Sequence, residues 1–185
     1  MTQSLTGKLL VASPLLTDPN FARTVVYLCA HDASGAFGLV LNRPLRDRVE
    51  QHLPRWLEIV TFPSVLFAGG PMEPTAAFGL ARRRTASTPS EGWMDVDGAI
   101  GLVDLTAGPG SLAPELAQLR LFSGYAGWAP GQLDEEVEAN GWFVVPALAA
   151  DLFLSEPGDL WRTVLRRQPG EVAMFAFYPQ DPSVN

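Results

Sequence analysis

Cys29 and His31 are the first residues in this 185-residue sequence whose types and spacing could do chemistry. They stand two apart at the end of the run VVYLCAHD, and the two-residue period of a strand puts both side chains on one face. A histidine beside a cysteine can generate a thiolate nucleophile. A cysteine inside so apolar a run is equally the profile of inert core packing, and that is the expectation here. The other histidine, His52, lies on a separate segment. Structural zinc needs four Cys/His ligands and catalytic zinc usually three protein ligands, so no metal site and no cofactor are expected. Asp18, Asp32, Asp134, Glu135 and Glu136 could hold a hard cation, but loose acids of this kind read as a solvated face. The G-x-S-x-G, Walker A and G-x-G-x-x-G patterns are all absent, which removes the usual serine-hydrolase and nucleotide-cradle readings.

Two glycine-rich stretches remain, Gly69-Gly70-Pro71 and Gly124-Tyr125-Ala126-Gly127. Neither has phosphate-loop spacing, so each reads as backbone of unusual φ or close approach. The segment from Phe122 to Leu133 alternates glycine with aromatic residues and ends in Pro130-Gly131-Gln132 before three acids. The acids suit a helix N-terminus, and Gln132 there could help hold a small polar or anionic ligand, with packing as the plainer role. Arg82-Arg83-Arg84 is the only basic run. It is read as a solvated loop, because the chain carries 13 basic and 20 acidic residues, a net charge of −7, and direct nucleic-acid binding is not expected of it.

These residues need a frame. With 47% hydrophobic residues the chain can fill a core, and one cysteine excludes an intrachain disulfide. The N-terminus lacks a basic segment followed by a long apolar one, and no stretch reaches 18 apolar residues. No signal peptide and no membrane span are read, and a cytoplasmic location is expected. Strands are predicted over 7–12, 23–30, 37–41, 65–68, 76–81, 99–105, 119–125 and 142–145, with 31–36 as a hairpin turn. Helices are predicted over 46–53, 114–119, 130–140, 146–153 and 158–167, a surface loop over 82–93, and a last apolar segment over 172–178. With 76–81 the weakest strand signal and 114–119 the weakest helix signal, the count is about seven strands and four helices, with no repeat and no linker. The fold class is α+β, a single domain over 1–185 with a mixed, mainly antiparallel sheet.

Several motifs in order then resemble the YqgE/AlgH family. They are Gly7-Lys8-Leu9-Leu10-Val11-Ala12 and Asp18-Pro19-Asn20-Phe21-Ala22-Arg23-Thr24, then His31-Asp32 with Gly35 to Pro44, Phe67-Ala68-Gly69-Gly70-Pro71, and Gly124 to Leu133 with Glu136, Asn140 and Trp142. Where some members carry Cys-Glu-His-Asn, this chain has Cys29-Ala30-His31-Asp32. The resemblance implies a small cytoplasmic bacterial α+β fold. Its bifurcated sheet closes partly into a small barrel flanked by helices, and no enzymatic activity is established for it. Some members carry a transcriptional-regulator label.

The family motifs fall on Arg23, His31, Asn42, Gln132 and Glu136, and these are expected to meet in one cleft framed by Tyr125 and Trp128, where a small molecule or peptide would bind. The structural alternative is a buried Arg23–Glu136 pair with Asn42 capping a turn. The expected function is a non-catalytic binding or regulatory module acting through a small ligand or a protein partner. The alternative is an enzyme using His31 with a carboxylate, and a weaker one is a transcriptional regulator.

Overall fold

A computed structural model describes residues 3–85, 88 and 90–179. The β-branched and aromatic runs of the first forty residues form β1 (Lys8–Ala12), β2 (Val25–Asp32) and β3 (Gly35–Val40), paired antiparallel in sequence. Then follow β4 (Pro44–Arg48), β5 (Val65–Ala68), β6 (Met72–Arg83), β7 (Trp93–Asp97), β8 (Ile100–Val103), β9 (Leu116–Trp128) and β10 (Trp142–Pro146). The helices are short: α1 (Val49–His52), α2 (Gln132–Glu138), α3 (Ala149–Leu152) and α4 (Leu160–Arg166).

The strands make one sheet in the order β10-β1-β2-β3-β9-β6-β8-β7, with β5 on the free flank of β9 and β4 on β5. Only β5 and β9 pair in parallel. The sheet forks at β9. Phe122 and Ser123 of β9 face Phe67 and Ala68 of β5, whereas Ala126 to Trp128 face Gly38 to Ala36 of β3. Gly69 and Gly70 lie in the crotch of this fork. A Cβ at Gly69 would come 2.2 Å from the Gly124 carbonyl oxygen, and Gly70 has φ +153°, so close backbone approach explains the pair. Gly7, next to β1, abuts Asp97 at the end of β7, so the sheet curls into a half barrel.

Both faces of the β1–β2–β3 meander are buried. Leu10, Val26, Leu28 and Val40 pack with Leu133 of α2 on one face, and Leu9, Val25, Tyr27 and Leu39 pack with Trp161, Val164 and Leu165 of α4 on the other. The mixed, mainly antiparallel, forked sheet of an α+β fold is present as expected.

The element boundaries differ where pairing overrides local pattern. There are ten strands among the described residues, not about seven. The helix predicted over 46–53 is reduced to α1, because Pro44 and Arg48 pair with Phe67 and Val65. The helix predicted over 114–119 is one 3-10 turn, Ala113–Glu115, since β9 already begins at Leu116 opposite Arg83. The predicted loop over 82–93 gives its first residues to β6 and its last to β7, and residues 86, 87 and 89 lie outside those described. The helix predicted over 146–153 starts later, at Ala149, because Pro146 pairs with Lys8. The final apolar segment coils as a 3-10 helix, Gly170–Phe177.

A cluster of indoles around Glu136

Pro130-Gly131 turns the chain out of β9, and Gly131 takes φ +77° at the start of α2. Gln132 and Glu136, four apart, share one face of α2. That face lies over the end of β9 and the start of β10. Glu136 Oε2 accepts from the Trp128 indole at 2.9 Å and the Trp142 indole at 2.8 Å, and Oε1 accepts from the Gln132 amide at 2.9 Å. The Gln132 carbonyl in turn accepts from the Ala129 N–H at 3.0 Å. Phe21 packs against Trp128 and edge-on against Trp142. The two indoles are 6% and 2% exposed, so this half-buried carboxylate anchors both of them, and each of its oxygens has a partner.

The first hairpin and the Trp128 turn do meet, since Ala36 is the register partner of Trp128. His31 therefore reaches α2. Its Nε2 lies 3.7 Å from Asp134 Oδ2, and its Nδ1 accepts from the Leu5 N–H at 3.1 Å. The Ser4 hydroxyl donates to its carbonyl, and its own N–H donates to Thr6 Oγ1. The N-terminal segment thus folds over the imidazole, whose side chain is 7% exposed.

A bulge between Leu28 and Ala30 corrects the Cys29–His31 reading. The extra residue flips the alternation, so Cys29 enters the α4-side core while His31 faces α2. Burial pushes the Cys29 thiol well above its ordinary range. A disulfide reagent at pH 8 is expected to leave Cys29 untouched in the folded chain and to titrate one thiol in urea; rapid reaction without denaturant would contradict this burial.

The remaining predicted residues do not join this cluster. Tyr125 projects to the opposite face of β9, against Phe37 and Phe78. The Asn42 amide fastens backbone: Oδ1 accepts from the Val25 N–H and Nδ2 donates to the Arg23 carbonyl. Arg23 turns away toward α4, its guanidinium 4.5 Å above the Trp161 ring. No Arg23–Glu136 ion pair forms. In the basic run, Arg82 donates to Gln118, Arg83 is buried over Trp93, and only Arg84 is exposed.

Other features left no local mark in the sequence. Arg120 is 1% exposed, lies 4.4 Å over Phe67 and donates to the carbonyls of Leu152, Phe62 and Leu154; burial lowers its pKa to about 10. A groove of about 470 Å³ carries His52 and Asp47, 3.4 Å apart and half exposed. A second groove, of about 440 Å³, opens between β3, β6, β7 and β8. Its walls are Phe37, Phe78, Trp93, Met94 and Leu102, with Asp104 and Thr106 also lining it. Hydrogen bonds from the Thr106 hydroxyl and N–H hold the Asp104 carboxyl below the usual carboxylate range. Among the described residues no cluster of three or more His, Cys, Asp or Glu could hold a metal, and no helix is long and apolar enough to cross a membrane.

A family model described as AlgH-like matches residues 9–173. A UPF0301 protein of Streptomyces coelicolor is 49% identical over 185 residues, covering 98% of this chain and 96% of that one. A UPF0301 protein of Mycolicibacterium smegmatis is 41% identical over 181 residues, covering 97% and 90%. Among solved structures, a protein from Corynebacterium diphtheriae superposes with a TM-score of 0.89 at 31% identity, covering 96% of this chain and 94% of that one. The solution structure of the AlgH protein from Pseudomonas aeruginosa superposes with a TM-score of 0.72 at 26% identity, covering 98% and 100%.

Proposed function

The chain belongs to the AlgH-like family, and from that premise we propose that it is a non-catalytic binding module whose ligand seat is the groove between β3, β6, β7 and β8. The observation that carries this reading is the groove's composition: an apolar lining that includes two phenylalanines, a tryptophan and a methionine, with one ionised carboxylate. About 440 Å³ falls in the usual range of small-molecule sites. The matching ligand has a small apolar body and a positively charged or hydrogen-bond-donating head that meets Asp104. Occupancy of such a groove is also what a regulatory role would read.

The cluster around Glu136 takes the part of a scaffold in this reading, because its polar atoms already have partners. The enzymatic alternative rests on His31 beside Asp134. That imidazole is 7% exposed and its Nδ1 already accepts from the Leu5 N–H, which supports the binding reading over the enzymatic one.

The test is a metabolite thermal-shift screen on the full chain. A ligand present at about 100 times its Kd stabilises the fold by about 2.7 kcal/mol, which is a Tm rise of roughly 5–10 °C for a chain of this size. Met94→Glu places a charge on a half-exposed wall and is expected to abolish that rise without lowering the Tm of the free protein. Hits whose shift survives M94E, or conversion of a hit compound by the protein, would refute the proposal.

A further inference from the structure

We propose that Arg23 and Arg162 form a second binding site, a small cleft beside Trp161 that takes a phosphate group. The cleft is lined by Arg23, Gly158, Asp159, Trp161 and Arg162 and measures about 80 Å³, room for one such group and little more.

Three observations point there. First, Arg23 stands at φ +57°, a left-handed conformation that a non-glycine residue adopts only at a cost of about 1–2 kcal/mol. The strain is maintained from two sides. Asn42 grips the Arg23 carbonyl and the Val25 N–H, and Arg43 donates to the carbonyls of Ala22 and Pro19. A glycine would relax this backbone, so what the strain retains is the Arg23 side chain.

Second, that side chain is placed on a rigid platform. The Trp161 ring lies 4.5 Å beneath the guanidinium, is 3% exposed, and is itself fixed by its indole N–H on the Ala12 carbonyl at 2.8 Å. Arg23 Nη2 donates to the carbonyls of Tyr178 and Pro179, which leaves Nε and Nη1 without a hydrogen-bond partner among the described residues. Arg162 Nε donates to the Ala176 carbonyl at 3.2 Å, and its two terminal nitrogens are likewise unused there.

Third, the two cations line the same cleft, and the charge of Arg162 is felt at Arg23. Among the described residues neither makes an ion pair, and Asp159, on the cleft wall, is 3.8 Å from Arg166 instead. Burial, and then the charge of Arg162, lowers the Arg23 pKa from its ordinary value. An anion seated between them relieves that repulsion. Two planar forks arriving from separate elements present more donors than one carboxylate can accept, and the three acceptor oxygens of a phosphate monoester match them.

The full chain, labelled with ¹⁵N, is titrated with inorganic phosphate and with methyl phosphate at constant ionic strength, following the Trp161 indole N–H and the Arg23 and Arg162 Nε–H signals. Saturable shifts at these three groups are expected, in the millimolar range or tighter. Arg162→Gln is expected to weaken binding about tenfold, the loss of one charge-assisted contact. Asp159→Asn is expected to strengthen it by about threefold, because it removes the opposing charge, and a folding defect cannot imitate that gain. Shifts that do not saturate, that chloride reproduces, or that respond to neither substitution would overturn the site. Acetate binding as tightly as phosphate would overturn the assignment of the anion.

Discussion

Replacing Asp151 by alanine is expected to remove about 3–5 kcal/mol of folding stability, the range measured when one partner of a buried ion pair is deleted. Asp151 is 4% exposed. Its carboxylate receives both terminal nitrogens of Arg167, at 2.6 and 2.5 Å, and also the Leu148 N–H at 2.8 Å, where it starts α3. Deletion leaves the guanidinium with a single long bond to the Pro146 carbonyl and strips the first turn of α3 of its acceptor. Arg167→Ala is expected to cost less, because that side chain is 27% exposed and Asp151 keeps the Leu148 N–H. A double-mutant cycle by urea denaturation at pH 7 measures the pair; a coupling below about 0.5 kcal/mol would show that the contact is not formed in solution.

Glu136→Ala is expected to cost about 3 kcal/mol. The substitution removes the acceptor of two buried indoles, and each stranded indole N–H carries a penalty of about 1–3 kcal/mol less whatever water recovers, while the exposed Gln132 amide is free to bond water. Glu136→Gln keeps one acceptor oxygen and is expected to lose roughly half as much. The indole N–H resonances of Trp128 and Trp142 report the effect directly, since both should move upfield when the carboxylate goes. A midpoint unchanged within error, at constant m-value, would mean that the indoles find other acceptors.

Most of the frame was legible because its signals are local. The β1–β2–β3 meander follows from β-branched runs broken by Asp18-Pro19-Asn20 and Ser34-Gly35, and α2 follows from a Pro-Gly entry with apolar residues four apart. The bulge at Cys29 was hidden for a physical reason. A strand buried on both faces is apolar at every position, so no alternation exists to reveal that one residue is extra. Strands β4 and β7 escaped for the opposite reason, since they are largely exposed and carry polar sequence.

The expected cleft fared unevenly. Trp128, Gln132 and Glu136 come together because the Pro-Gly turn keeps them within a dozen residues of one another. Tyr125, three residues before Trp128, lands on the other face by strand parity alone. Arg23 was expected beside Glu136 and lies elsewhere. Its companions Trp161 and Arg162 lie at the far end of the chain, and no periodicity links the two segments.

The fork at β9 also sets the order in which this molecule can assemble. Ala36 waits for Trp128, and Lys8 waits for Pro146, so neither flank of the N-terminal meander is sealed until nearly the whole chain is available. High contact order of this kind places refolding in the slower millisecond-to-second regime. On the ribosome, β3 emerges early with an unpaired edge, and the polypeptide has to remain protected from other chains until β9 follows it.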